Sequence, residues 1–152
     1  MRDRERGVER GRPYTSKATV STRASLTVVR VRYAETDRMG VAYYANYLVW
    51  FEVARTDWLR AAGVSYRDVE ASGIILPVIE AHCEYRQPAH YDDEIEIRTR
   101  GALHSPVRVE FRYELIRRLD QAILATGRTV HASTDPDGRP RRLPERVRML
   151  FT

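Results

Sequence analysis

The segment VRVEFRYEL, residues 107–115, most constrains what this chain can fold into. Val107, Val109, Phe111, Tyr113 and Leu115 alternate with Arg108, Glu110, Arg112 and Glu114. A period of two is the pattern of a β-strand with one apolar and one charged face. Such a strand suits a sheet covered on one side and wet on the other, which favours antiparallel pairing. Four further segments read as strands. LTVVRVRY (26–33) places Val29, Val31 and Tyr33 on one face, and Ile79, Ala81, Cys83 and Tyr85 alternate with polar residues within 75–88. Ile95, Ile97 and Thr99 alternate with charges within 92–100, and QAILATGRTVHAS (121–133) is the last of the four.

Between the first strand and the rest the period changes. Tyr47, Phe51, Ala54 and Trp58 share one face of a helix predicted over 46–61, with Leu48 and Leu59 widening the apolar arc. Asn46 is the expected N-cap and Gly63 the expected stop. A short helix is expected at 65–71, and another after a loop within 135–150. Strand, long helix, then four strands is an α+β order: an antiparallel sheet of about five strands with one long helix against it.

The formal charge of +5 invites a nucleic-acid reading, but its distribution speaks against one. Residues 1–25 carry seven basic and three acidic side chains, whereas 26–152 carry nineteen and eighteen. The excess lies in the N-terminal stretch, and a nucleic-acid binder needs it on the folded part. Residues 1–25 are Arg-rich and almost free of large apolar groups, so they are expected to be disordered, with one domain over 26–152. The single cysteine, Cys83, excludes a disulfide framework and a four-cysteine zinc site. His82, His90, His104 and His131 show no metal-ligand spacing, so no metal is expected. No apolar stretch approaches the ~20 residues of a membrane span, and no secretory h-region opens the chain, which points to the cytoplasm. There is no G-x-S-x-G nucleophile elbow and no Gly-rich phosphate loop.

The chemistry concentrates in YAETDRMGVAYYANYLVWFEVAR, residues 33–55. A strand ends in Tyr33; Thr36-Asp37 follow, then Gly40, Val41-x-Tyr43, and Asn46-Tyr47 at the helix start. This segment resembles the opening motif of the 4-hydroxybenzoyl-CoA thioesterase family, closest to its YbgC-type acyl-CoA thioesterase branch. The similarity runs on through RTDWLRAAG (55–63), QPAHYDDEIEI (87–97) and GRPRRLPERV (138–147). The resemblance implies a hotdog fold, a sheet curled around a central helix, in a homodimer or homotetramer with the active site at the dimer interface. It implies that Asp37 attacks the thioester or activates water. It also implies that the backbone N–H of Tyr44 receives the carbonyl oxygen. The substrate would be an acyl-CoA or acyl-carrier-protein thioester, with CoA or phosphopantetheine present only as part of it and no other cofactor.

The chemistry is coherent in its own right. A carboxylate can serve as nucleophile or base. A helix N-terminus offers open N–H donors to a developing oxyanion. Gly40 lets the chain fold back between the two. Tyr33 and Tyr43 are candidates to line the acyl pocket together with Val41, Thr36 to orient the carboxylate, and Arg108, in the 103–108 hairpin, to meet a CoA phosphate. Core packing or solvation is the competing reading of each. Two other functions fit the fold: a hotdog hydratase/dehydratase and a non-catalytic acyl-thioester-binding module. The first pairs an Asp with a His five residues on, where this chain has Ala42.

Overall fold

A computed structural model describes residues 18–152. Five strands form one antiparallel sheet: β1 (Thr19–Arg30), β2 (Val78–Tyr85), β3 (Glu94–Ser105), β4 (Arg108–Arg117) and β5 (Ile123–Ala132). Their spatial order is β1-β3-β4-β5-β2, so β1 and β2 are the edges. The strand read from strict alternation, β4, lies at the centre. Its Val109, Phe111, Tyr113 and Leu115 are buried. Its other face is less wet than the alternation predicts. Glu110 is buried, because Arg112 Nε reaches its carboxylate at 2.8 Å and Arg128 covers it from β5.

The domain begins earlier than the apolar pattern indicates. β1 starts at Thr19, inside the stretch expected to be disordered, and residues 1–17 lie outside the described ones. Backbone pairing explains the difference. Thr19 and Val20 sit opposite Leu103 and Ala102 of β3, and the buried Ser21 hydroxyl donates to the Leu150 carbonyl at 2.8 Å. An edge strand held by its ladder needs few apolar side chains.

Helix α1 (Asn46–Ala61) lays Tyr47, Phe51, Ala54 and Trp58 on the sheet. The Phe51 ring stacks on Tyr113 at 4.2 Å, and Trp58 meets Phe111 edge-on at 5.5 Å. Helix α2 (Tyr66–Ala71) opens with a capping box between Ser65 and Asp68. Helix α3 (Glu145–Arg148) runs into a 3₁₀ turn that buries Phe151 against Trp58. Among the described residues no helix is long and apolar enough to cross a membrane.

The helix lies close to β5 because position 127 is glycine. A Cβ there would fall within overlap distance of the Phe51 ring and 2.8 Å from the His82 carbonyl oxygen, which is backbone and cannot swing away. Gly127→Ala should therefore cost about 1–3 kcal/mol, read as a lower urea midpoint at unchanged slope.

One polar chain crosses this apolar layer. The His131 ring, almost fully buried, has Nδ1 2.9 Å from the Leu76 carbonyl and Nε2 2.8 Å from the Thr129 hydroxyl. A carbonyl only accepts, so Nδ1 carries the proton and Nε2 accepts from Thr129. The Tyr113 hydroxyl, 2.7 Å from Thr129 Oγ1, then donates to it. Burial, reinforced by the charge of Arg55 and opposed by the Leu76 bond, pushes His131 down to about 4. The unfolded chain binds this proton near the usual 6.5, so stability is full above that pH and falls as pH drops toward about 4. The loss should approach ~3 kcal/mol, at ~1.4 kcal/mol per pH unit. Urea titrations between those limits should show a pH slope in the wild type that is shallower in His131→Gln.

Candidate active site

Residues 36–42 form a tight loop. Thr36 and Ala42 bridge across its base, and the Asp37 N–H donates to the Val41 carbonyl at 2.9 Å. Gly40 N–H returns to the Asp37 carbonyl at 3.0 Å with φ +78°, a left-handed conformation that glycine adopts without strain. Ala42 N–H donates to the Ala89 carbonyl at 2.8 Å, and Val41 bridges His90, so the loop is clipped to the segment before β3. The Asp37 carboxylate is half-buried. Its Oδ1 accepts from the Met39 N–H at 2.8 Å, while Oδ2 has no partner among the described residues. One oxygen is fixed and the other is open.

The chain then turns into α1. Tyr43 N–H donates to the Glu35 carbonyl at 2.7 Å, and the amides of Asn46, Tyr47 and Leu48 find the carbonyls of Tyr43, Tyr44 and Ala45. Among the described residues, no backbone carbonyl accepts from the Tyr44 N–H. Asn46 is not the N-cap. That position is Ala45, without a side-chain cap, and the Asn46 amide donates backward to the Glu35 carbonyl at 2.8 Å. The first-turn amides are thus met by carbonyls of the preceding turn, and among the described residues the Tyr44 N–H just before the helix is left without a backbone acceptor.

Asp37 and Tyr44 both line an open cleft of about 320 Å³, with Val41 and Tyr47 as apolar wall and the end of β2 with Gln87 and Pro88 opposite. The Tyr85 hydroxyl donates to the Tyr44 carbonyl at 3.0 Å and ties that strand to the helix start. Burial pushes Tyr85 up to about 12, so it stays a neutral donor.

The structure thus brings Asp37, Val41 and Tyr44 together around one cleft, with Gly40 making the turn. Tyr43 packs beside Tyr44 with ring centroids 4.8 Å apart and planes tilted by 53°, outside the cleft lining. Tyr33 is exposed and meets Tyr91 edge-on. The Thr36 hydroxyl donates to the Tyr33 carbonyl at 2.7 Å, so the backbone amide of Met39, not Thr36, fixes the carboxylate. Arg108 opens β4 opposite Ala132, whereas Tyr85 pairs with Ala125; at ~3.4 Å per residue the two lie roughly 24 Å apart along the sheet.

Two features escaped the sequence reading. The end of β2 as a cleft wall carries its signal in Gln87-Pro88, where the strand must stop. The other is Glu35, a buried acid. Its Oε2 accepts from Trp50 Nε1 at 2.9 Å and Oε1 from the Arg32 N–H at 2.9 Å, which anchors the loop to α1. Its only signal is a helix-face tryptophan whose N–H requires a buried partner. Among the described residues no cluster of side chains is arranged to hold a metal ion.

A half-buried carboxylate and the uncapped start of a helix thus line one cleft beside an antiparallel sheet, and the comparisons with known proteins supply the class of chemistry. The chain belongs to the thioesterase-like superfamily, whose family model matches residues 31–151. It is similar to the acyl-CoA thioester hydrolase YbgC of Escherichia coli O157:H7, 31% identical over 120 residues that span 78% of this chain and 89% of that one. It is also similar to the putative acyl-CoA thioesterase YneP of Bacillus subtilis, 45% identical over 71 residues; that match spans 47% of this chain and about half (51%) of the relative. Among solved structures, the DHNA-CoA thioesterase of Staphylococcus aureus superposes with a TM-score of 0.75 at 37% identity, covering 79% of this chain and 80% of that one. With these relatives and this fold, the chain is a thioester hydrolase of the YbgC type.

Proposed function

We propose that the protein hydrolyses acyl-CoA thioesters at the cleft between Asp37 and the Tyr44 amide. The observation that carries this reading is their juxtaposition: a carboxylate with a free Oδ2 and an N–H with no backbone acceptor, lining one cleft. The Asp37 carboxylate, as base, takes a proton from water while the water oxygen bonds to the thioester carbon. The carbonyl oxygen gains the displaced electron pair and is held by the Tyr44 N–H. Collapse of the tetrahedral species breaks the C–S bond, and the proton passes to the departing thiolate. As nucleophile, the same carboxylate bonds to the carbon, the C–S bond breaks as the thiolate leaves, and water then adds to the Asp37 carboxyl carbon of the resulting anhydride and releases the acid. Heavy-oxygen water in a single turnover separates these routes: the label enters the free acid directly in the first and the Asp37 carboxylate in the second.

The relatives' names support CoA as the thiol. The full hotdog arrangement, with the sheet curled around α1, and a homodimer belong to the same proposal. Edge strand β2 pairs only with β5 among the described residues and exposes Val78 and Ile79, while α1 exposes Leu48, Val49 and Val53. An apolar edge of this kind calls for a second strand. Antiparallel pairing of β2 with its copy brings the Arg108 end of one protomer toward the Asp37 end of the other. The deciding assay measures thiol release from a panel of acyl-CoA chain lengths beside matching acyl-carrier-protein substrates. Release from acyl-CoA is the expected result, and silence across the whole panel would overturn the reading.

A further inference from the structure

A second cavity, about 370 Å³, opens between α1, the segment before β2 and the middle of the sheet, and shares no lining residue with the Asp37 cleft. Leu59 and Leu76 give it apolar walls, and Glu52, Arg55, Thr56 and His131 give it polar ones. His131 is fully committed, since both ring nitrogens are bonded. The direction of that chain makes Tyr113 a donor to Thr129, and the Arg55 charge near the Tyr113 hydroxyl opposes the upward push of burial on that phenol. A guanidinium carries five N–H donors and no acceptor. Asp57, the next acid on the helix, pairs with Arg60 instead, and among the described residues neither Arg55 nor Glu52 has an ion-pair partner.

The cavity therefore presents a donor-only group and an acceptor-only group one helical turn apart, against apolar walls. A methyl offers a partner to neither. A carboxylate suits Arg55 but is repelled by Glu52. A hydroxyl, which donates and accepts at once, satisfies both. We propose that this cavity is a recognition subsite for a hydroxyl carried at the distal end of the acyl group, held between Arg55 and Glu52. The inference rests on the thioester-hydrolase reading of the Asp37 cleft. Tyr44, Leu48, Glu52 and Arg55 follow one stripe at three- and four-residue steps, which joins cleft to cavity over roughly 16 Å at 1.5 Å per residue. Leu48, exposed midway, is an apolar surface for the intervening chain.

The test compares ω-hydroxyacyl-CoA with plain acyl-CoA at each of several chain lengths. The hydroxylated member should be favoured at least about 10-fold in kcat/KM at the length that reaches the cavity, because a site built to hydrogen-bond a hydroxyl rejects its absence. Arg55→Met should bring that ratio to about one, as should Glu52→Leu, which changes an exposed side chain and leaves the Tyr113 chain intact. Equal rates for both members at every length, or a preference that survives both substitutions, would overturn the proposal. Calorimetric binding of the free ω-hydroxy acid against the plain acid reads the cavity without catalysis. If no thioester is hydrolysed, a binding preference lost in Glu52→Leu supports the subsite alone. Equal binding of the two acids, or none, removes it.

Discussion

Asp37→Asn is expected to lower kcat for thioester hydrolysis by about 10³-fold, the middle of the range for removing a positioned acid–base group. The substitution suits the test because the loop should survive it. Oδ1 accepts from the Met39 N–H, and an amide oxygen accepts equally well, while the backbone bonds at Val41 and Gly40 do not involve the side chain. What disappears is the charge on the open oxygen. The free-thiol assay should show a collapse in kcat with a far smaller change in KM, since the amide still fills the same space. Unchanged turnover in a variant with wild-type circular dichroism would refute the assignment of Asp37.

The second large effect concerns stability. Phe51→Ala should cost about 3–5 kcal/mol, a major part of the ~5–15 kcal/mol that holds a domain together. Phe51 is fully buried, stacks on Tyr113 and lies over Gly127. Gly127 has no side chain with which to refill the space, so the site cannot collapse cheaply. The urea midpoint measures the loss. Because the Gly127→Ala clash is largely with the Phe51 ring, the alanine at 127 should cost less in the Phe51→Ala background than alone. Strict additivity of the two would show that the helix–sheet gap is not set by this pair.

The frame was legible because its elements follow local rules. The alternation of 107–115 identifies β4, and the spacing of Tyr47, Phe51, Ala54 and Trp58 fixes the buried face of α1. Asp37, Gly40 and Tyr44 could be singled out because the contiguous segment 33–55 that holds them resembles the opening motif of the 4-hydroxybenzoyl-CoA thioesterase family. Three features were not legible, and each depends on groups distant along the chain. The first seven residues of β1 are strand through pairing with β3, some eighty residues away. Glu35 resembles a solvated turn acid until Trp50 covers it. The charged face of β4 buries Glu110 among Arg112, His104 from β3 and Arg128 from β5, two of which come from neighbouring strands. Thr36 shows the converse: proximity suggested a role beside Asp37, yet its hydroxyl turns to the Tyr33 carbonyl.

The open amide at residue 44 belongs to a peptide bond, not to a tyrosine. Any amino acid but proline supplies the same N–H in the same place, provided the helix still starts there. Under the proposed mechanism, position 44 can therefore drift through evolution, or be scanned with alanine in the laboratory, without disclosing the proposed oxyanion donor, whereas position 37 has no such freedom. Comparing side chains across relatives bears on one half of the proposed two-part site and passes over the other, and chemistry that alters the backbone itself, such as an ester in place of the amide, is what tests the second half.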